Sequence, residues 1–381
     1  MRVLNSCSIL MLCTLAGCAT APSFGTGAGA DDRPVYTVAT SQEFVDAVGP
    51  DRVIQLRPGH YDLSKVQRKV TPHVSWERVF ESQYQLVLRG VSGLVLEGSD
   101  DQTAHLVTRH ADAFVLEVRD SDDFVLRNLR MGHRPDAGGC GQGVLGLRGT
   151  RNVLIDRCIL YGCGSYGINL TGVVDLCFRD SVIEKCDGSI LFAQSCFNLV
   201  FENSRFRRNV LYGAGFYFEQ SYRVLLKNCR VEENACFQDA FVFGSSVGDG
   251  GRGTQADTSI AVVGGSIESN SLRALAKDMK QLKLKGVEIK GNAWQAPDEV
   301  LARRGRKVAV DGGWYYYVPV GVCTYEQVSI EVYGRWWFSN ALRKANPNVP
   351  DRSIHHDVKL FCPADPPRNA RPSASGKSAS P

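Results

Sequence analysis

Leu199-Val200-Phe201-Glu202-Asn203 and Val224-Leu225-Leu226-Lys227-Asn228 are two copies of one short phrase: three apolar residues, a charged one, then a turn former. The phrase also stands at Leu94-Val95-Leu96-Glu97-Gly98, Phe124-Val125-Leu126-Arg127-Asn128, Val153-Leu154-Ile155-Asp156-Arg157 and Leu176-Cys177-Phe178-Arg179-Asp180. Shorter copies follow at Ile260-Ala261-Val262 and Leu282-Lys283-Leu284. Their third residues, 96, 126, 155, 178, 201, 226, 262 and 284, lie 30, 29, 23, 23, 25, 36 and 22 apart, so the base period is 22 or 23 with inserted loops. A repeat of that length is one supersecondary unit that buries its apolar face only by stacking on its neighbours.

A second strand precedes most copies by about eight residues: Phe114-Val115-Leu116, Leu145-Gly146-Leu147, Ile168-Asn169-Leu170, Ile190-Leu191-Phe192, Phe216-Tyr217-Phe218 and Phe241-Val242-Phe243. Inward apolar residues alternate with outward variable ones, the period of a strand. Eight residues after core positions 201, 226, 262 and 284 stand Asn209, Asn234, Asn270 and Asn292, a column in which stacked Asn bonds along the axis and tolerates left-handed turns. Cys163 and Cys186 hold the same offset in two earlier copies, and a rung spacing of ~4.8 Å permits either a rung-to-rung disulfide or a pair of buried thiols. Cys158 and Cys229 share another offset three rungs apart and are expected to fill space.

Composition agrees with this reading. Thirty-eight glycines and seventeen phenylalanines against four methionines favour turn-rich β structure, and 44% hydrophobic residues supply a core for most of the 381 residues. The net charge of +4 comes from 44 basic and 40 acidic residues mixed along the chain, which makes nucleic acid an unlikely partner class.

Three short strands per period define a mainly β fold, a solenoid of parallel sheets. It resembles the right-handed parallel β-helix of the pectate-lyase-like superfamily over residues 35–293. Ser41-Gln42-Glu43-Phe44, read as a short helix capped by Ser41, and the strand Val53-Ile54-Gln55-Leu56 with the turn Pro58-Gly59-His60-Tyr61 resemble the N-terminal plug of such folds. The plug keeps the first rung from exposing its core and its unpaired edge.

The flanking segments extend the reading. Residues 1–18 form a targeting segment too short to span a bilayer, and its end, Leu15-Ala16-Gly17-Cys18, resembles the bacterial lipobox; a plain signal peptide with a chance Cys is the alternative. The resemblance implies a lipid on Cys18, a tether over residues 19–34 and, from Ala19, an outer-membrane address with attachment by lipid rather than by a span. With Cys7 and Cys13 removed and Cys18 acylated, ten of the thirteen cysteines remain in an oxidising compartment.

After a linker at residues 294–311, residues 312–363 resemble the lysin motif (LysM), a small β-α-α-β peptidoglycan-binding module, on Tyr333-Gly334, Ala345-Asn346-Pro347 and Val358-Lys359-Leu360-Phe361-Cys362-Pro363. Gly321-Val322-Cys323-Thr324 replaces the family's Gly-Asp-Thr, and His355-His356-Asp357 stands where Pro-Gly is common. The resemblance implies a glycan contact at Gly321, Thr324, Asn346, Pro347 and Asn348, and a disulfide between Cys323 and Cys362; a module kept only as a structural cap is the alternative. Residues 364–381, rich in Pro, Ser and Ala, read as a disordered tail.

For the solenoid, the resemblance implies action on, or binding of, an acidic polysaccharide. The outward residues expected on the first-strand sheet are Val115, Glu117, Gly146, Arg148, Asn169, Thr171, Leu191, Ala193, Tyr217 and Glu219. Arg148, Asn169 and Tyr217, with Tyr166 and Asp187 on the same edge, are the glycan-binding candidates. The longest loop beside them carries His133, Arg134 and Asp136, which with Glu219 are the candidate base and cation of a lyase or epimerase; a loop whose polar residues satisfy one another is the alternative. No run of adjacent carboxylates marks a Ca²⁺ site, and no metal or cofactor is expected. The outward row of the other sheet, Val95, Val125, Leu154, Cys177, Val200 and Leu225, is apolar enough to need covering. A glycan-binding envelope protein, bound to peptidoglycan and to the membrane through lipid, and a polysaccharide lyase or epimerase on the same anchor are the two readings.

Overall fold

A computed structural model describes residues 32–134, 141–162, 165–236, 241–246, 259–272, 274–276, 278–294, 307–318, 325–333, 338–350, 354 and 358–364. Three parallel sheets stack into a solenoid. The first sheet holds ten strands, from Val35–Val38 to Leu282–Lys285, and the second holds nine, from Gly59–Asp62 to Glu288–Lys290. The third begins with an antiparallel hairpin, Val74–Phe80 and Gln83–Arg89, and continues through Leu116–Arg119, Leu145–Arg148, Tyr166–Thr171 and Asp187–Gln194. Leu96, Leu126, Ile155, Phe178, Phe201, Leu226, Val262 and Leu284 are successive partners in the first sheet, the register that the repeat predicts.

One turn recipe recurs at many of the corners, although Asn128 and Gly172 are followed by the apolar Leu129 and Val173. A residue with positive φ is followed by a small buried polar residue: Asn203 (φ 50°) then Ser204, Arg208 (φ 56°) then Asn209, Gln220 (φ 47°) then Ser221. The left-handed residue bends the chain without a loop, and each non-glycine residue held there costs on the order of 1–3 kcal/mol. The buried side chains offset that cost by bonding along the axis. Backbone N–H groups of Cys186, Asn209, Asn234 and Asn270 donate to the Oδ1 of Asn209, Asn234, Asn270 and Asn292 at 2.9–3.0 Å. Each Nδ2 of Asn209, Asn234 and Asn270 donates to the next Oδ1 and back to a carbonyl, of Ile183, Phe206 and Val231 respectively. Ser and Cys do the same at the other corners: Cys158 N–H bonds Ser181 Oγ, Ser181 N–H bonds Ser204 Oγ, and Cys196 N–H bonds Ser221 Oγ.

The cysteines belong to this scheme. No disulfide joins the described residues; Cys186 fills a ladder position, while Cys163, its candidate partner, lies outside them. Cys158 and Cys229 are buried free thiols whose pKa burial pushes up to about 12, so they fill space as expected and are poor nucleophiles.

The N-terminal plug is a helix, Ser41–Ala47, with Phe44 and Val45 buried against the solenoid core. Its cap is Thr40, one residue before the Ser41 expected: Thr40 Oγ1 accepts from Glu43 N–H at 3.2 Å, and Glu43 Oε2 accepts from Ala39 N–H at 2.7 Å. A capping box needs a Glu three residues after the cap, which fits Thr40 and not Ser41.

The C-terminal residues contain a three-stranded antiparallel sheet, Lys307–Val310, Gly313–Tyr317 and Lys359–Pro363, and two helices, Tyr325–Tyr333 and Ser339–Ala345. The helices end where the Tyr-Gly and Ala-Asn-Pro landmarks place their ends. Strand Lys307–Val310 departs from the expected linker and adds a third strand to the expected pair. Tyr316, Tyr325, Val328, Leu342, Leu360 and Cys362 form a small core of their own.

The Asn column is a stability element. Asn234→Ala orphans buried donors and acceptors on both neighbouring rungs, and the unfolding midpoint in urea should fall by the equivalent of roughly 2–4 kcal/mol. Lys227→Ala, which breaks only the exposed pair with Glu202 at 3.1 Å, should change it by ~1 kcal/mol or less. Equal effects from the two variants would show that the column carries no special load.

Candidate functional site

The third sheet presents two outward rows. One is Arg89, Arg119, Arg148, Thr171, Gln194, Glu219 and Ser246, in register across seven strands. The other is Glu117, Gly146, Asn169, Phe192, Tyr217 and Gly244.

Charge along the first row is held unevenly. Arg119 is clamped by Glu117 at 2.6 Å and by Glu77, and these hydrogen bonds raise its pKa further above the ordinary range. Glu117 itself is buried and accepts from Gln85 Nε2. Arg89 pairs with Asp120 at 3.1 Å. Arg148 is exposed and pairs with no described residue. Glu219, half-buried, accepts from Gln194 Nε2 at 3.1 Å.

The second row is aromatic in its middle. Phe192 lies 5.7 Å from Tyr217, nearly parallel, and 5.8 Å from Tyr166, ring centre to ring centre. Phe114 and Phe241 lie over glycines: a Cβ on Gly146 would sit 3.2 Å from the Phe114 ring, and one on Gly244 would sit 2.5 Å from the Phe241 ring. Tyr166, Phe192, Tyr217 and Phe241 are all half-buried.

Three expected outward residues turn inward. Leu191 and Ala193 are fully buried, and Phe192 and Gln194 take their places; Val115 is likewise in the core. Leu191, not Ile190, is the register partner of Ile168, and this stretch of strand Asp187–Gln194 opens on two inward residues, as Val115–Leu116, Val144–Leu145 and Val242–Phe243 do on other rungs. Ile190 and Leu191 are therefore consecutive buried residues, and simple alternation fails there. Phe114 and Phe241 are signalled in the sequence only by the complementary glycines at 143, 146 and 244.

Neither of the two described residues of the candidate catalytic loop, His133 and Arg134, reaches this face. His133 is buried, its Nε2 held by the Ala113 carbonyl at 2.8 Å, and burial lowers its pKa. Arg134 points to Asp62, at 4.0 Å, on the second sheet. Burial alone would raise the Asp62 pKa, but hydrogen bonds from Ser64 and Arg109 outweigh it and hold the carboxyl low. Asp136 lies outside the described residues. Asn169, Thr171, Tyr166 and Asp187 are half-buried on the third sheet, as expected.

The apolar row expected to need covering is largely buried. Val95, Leu154, Cys177, Val200 and Leu225 are buried, beside a charged row in register: Arg127 bonds Glu97 and Asp156 at 3.4 Å, Arg179 bonds Asp156 at 3.0 Å, and Lys227 bonds Glu202.

Among the C-terminal candidates, Asn346 is structural. Its Nδ2 donates to the Leu342 and Phe361 carbonyls, and its Oδ1 accepts from Phe361 N–H at 2.7 Å, which pins the second helix to the closing strand. Pro347 and Asn348 are exposed; Gly321, Cys323 and Thr324 lie outside the described residues, as does Cys18. Among the described residues no group of three or more His, Cys, Asp or Glu side chains gathers to hold a metal ion, and no helix is long and apolar enough to cross a membrane.

No curated protein matches the chain. Among solved structures it is similar to an alginate lyase from Paenibacillus sp. str. FPU-7, at 12% identity over 69% of this chain and 98% of that one, TM-score 0.39. It is also similar to the pectin methylesterase of Aspergillus niger, at 12% identity over 81% and 96%, TM-score 0.40. A mutant pectate lyase of Bacillus subtilis aligns at 11% identity over 70% and 82%, TM-score 0.43. Residues 92–271 match the family model described as a right handed beta helix region, the span through which the three parallel sheets run.

Proposed function

We propose that the protein binds a polysaccharide along the outer face of the third sheet, as a lipid-anchored envelope protein of the outer membrane whose C-terminal module holds peptidoglycan. One observation carries the first part: an exposed Arg148, with no partner among the described residues, stands in an ordered row of polar side chains beside half-buried aromatic rings. A regular solenoid repeats that environment at each rung, which suits a linear polymer. The anchor rests on Leu15-Ala16-Gly17-Cys18, and the peptidoglycan contact on the two helix-end landmarks together with the exposed Pro347 and Asn348.

A lyase or epimerase acting on an acidic glycan is the second reading, favoured by a cation and a carboxylate, Arg148 and Glu219, on one row. Those two are three rungs apart, roughly 14 Å at the usual strand spacing, too far to act on one sugar ring. His133, turned inward, supplies no base above the face. Binding therefore fits the geometry better than turnover.

Arg148→Ala with Tyr217→Ala should weaken retention in affinity gels containing an acidic polysaccharide at least tenfold, with an unchanged melting curve. Full retention would place the polymer elsewhere. Unsaturated product absorbance on uronate polymers should stay at background; growth of that signal would establish the lyase.

Two further outcomes concern the anchors. Cys18→Ala should move the protein from membrane to soluble fractions, and unchanged fractionation would refute lipid attachment. Deleting residues 307–363, which removes the whole C-terminal sheet with its added first strand, should abolish pelleting with purified sacculi; undiminished pelleting would assign that contact to the solenoid.

A further inference from the structure

Four successive rungs of the third sheet each place one aromatic ring on the outer face: Tyr166, Phe192, Tyr217 and Phe241, with Phe114 at the N-terminal end. Large and small residues interlock to make the rings continuous. Where one row has Gly146 or Gly244, the ring of Phe114 or Phe241 leans across it, and Ser189, the register partner of Tyr166, leaves room for the ring-to-ring contact with Phe192. Half-burial leaves each of the four rings with an open part and a part supported by the sheet, so a ligand meets a surface whose shape is already set.

A core explanation does not cover these rings. The inward side chains of the same strands, Ile168, Leu170, Leu191, Ala193, Phe216 and Phe218, already fill the interior. Partly exposed aromatics in a continuous strip mark a contact surface.

We infer that this strip is a stacking track for a linear glycan, one pyranose per rung, with the chain parallel to the solenoid axis and its anionic end group or substituent at Arg148. The inference rests on the glycan-binding reading and adds the direction, the register and the sugar faces that are recognised. Two features select this occupant. Tyr166, Phe192 and Tyr217 follow one another at 5.7–5.8 Å, a rise close to that of one linked pyranose, whose carbon-bound hydrogens present an apolar face to a ring. Beside the rings runs the row Arg148, Thr171, Gln194 and Glu219, which offers hydrogen bonds to ring hydroxyls along one edge and changes from cation to carboxylate along the axis. That gradient complements a chain with its negative charge toward the Arg148 end, and it fixes which way the chain lies.

The test uses the full chain with chito-oligosaccharides and β-1,4-linked oligomannuronates of two to seven units, titrated by calorimetry. Affinity should rise with length and level off at roughly five units, when the oligomer outgrows the strip. Oligomannuronates should bind more tightly than chito-oligosaccharides of equal length, and Arg148→Gln should erase that difference. Phe192→Ala and Tyr217→Ala should each weaken binding roughly tenfold. Tyr217→Phe and Tyr166→Phe, which keep the rings, should bind like the wild type. The Tyr217 pair carries the test if Phe192→Ala fails to fold, as judged by its thermal midpoint. Wild-type affinity in both alanine variants, with loss in Arg148→Ala, would overturn the track while leaving glycan binding on this face intact. No binding of any of these oligomers by the wild type would overturn both.

Discussion

Everything in the solenoid depends on how its corners are satisfied. A chain that turns three times per rung with tight corners places a left-handed residue beside a buried polar side chain at many of them, and neither is tolerable alone. Stacked in columns, the buried side chains complete one another's hydrogen bonds: Asn234 joins Asn209 to Asn270, and Ser181 joins Cys158 to Ser204. The corners are therefore stable only as a set. This makes the solenoid a cooperative object whose rungs hold one another in register to within a hydrogen bond.

Fixed register is what turns surface side chains into rows. On the first sheet, Glu97, Arg127, Asp156 and Arg179 become an alternating charge row that stands beside buried Val95, Leu154 and Cys177. On the third sheet the same rule yields a polar row and an aromatic strip. The two faces differ in how the rows are neutralised. Asp156 on the first sheet takes ion pairs from Arg127, Arg157 and Arg179, whereas Arg148 on the third has none among the described residues.

Much of the solenoid was legible in the sequence because its repeat is enforced locally. The core positions from Leu96 to Leu284 and the Asn column were counted off by offset alone, and the pairing matches that count. Counting failed in strand Asp187–Gln194, where two consecutive residues, Ile190 and Leu191, turn inward. One lost step of a two-residue period moves every later side chain in that strand to the opposite face. Phe192, the centre of the aromatic strip, was misplaced for that reason alone.

By itself, then, the sequence determined the rung, its period, the inward columns of the first sheet, the polar corners, and the ends of the two C-terminal helices, because each depends on residues within one repeat or one helical turn. Only the tertiary structure decided which polar residues are left exposed. His133 and Arg148 are both basic residues near loops in the sequence, yet one is enclosed with its Nε2 on the Ala113 carbonyl and the other is exposed with no partner among the described residues. Asn346 sits in a landmark associated with sugar binding, yet its amide is consumed in holding the Phe361 backbone, fifteen residues away. Exposure and pairing are set by neighbours a whole rung or more distant along the chain, and no local pattern of residues carries that information.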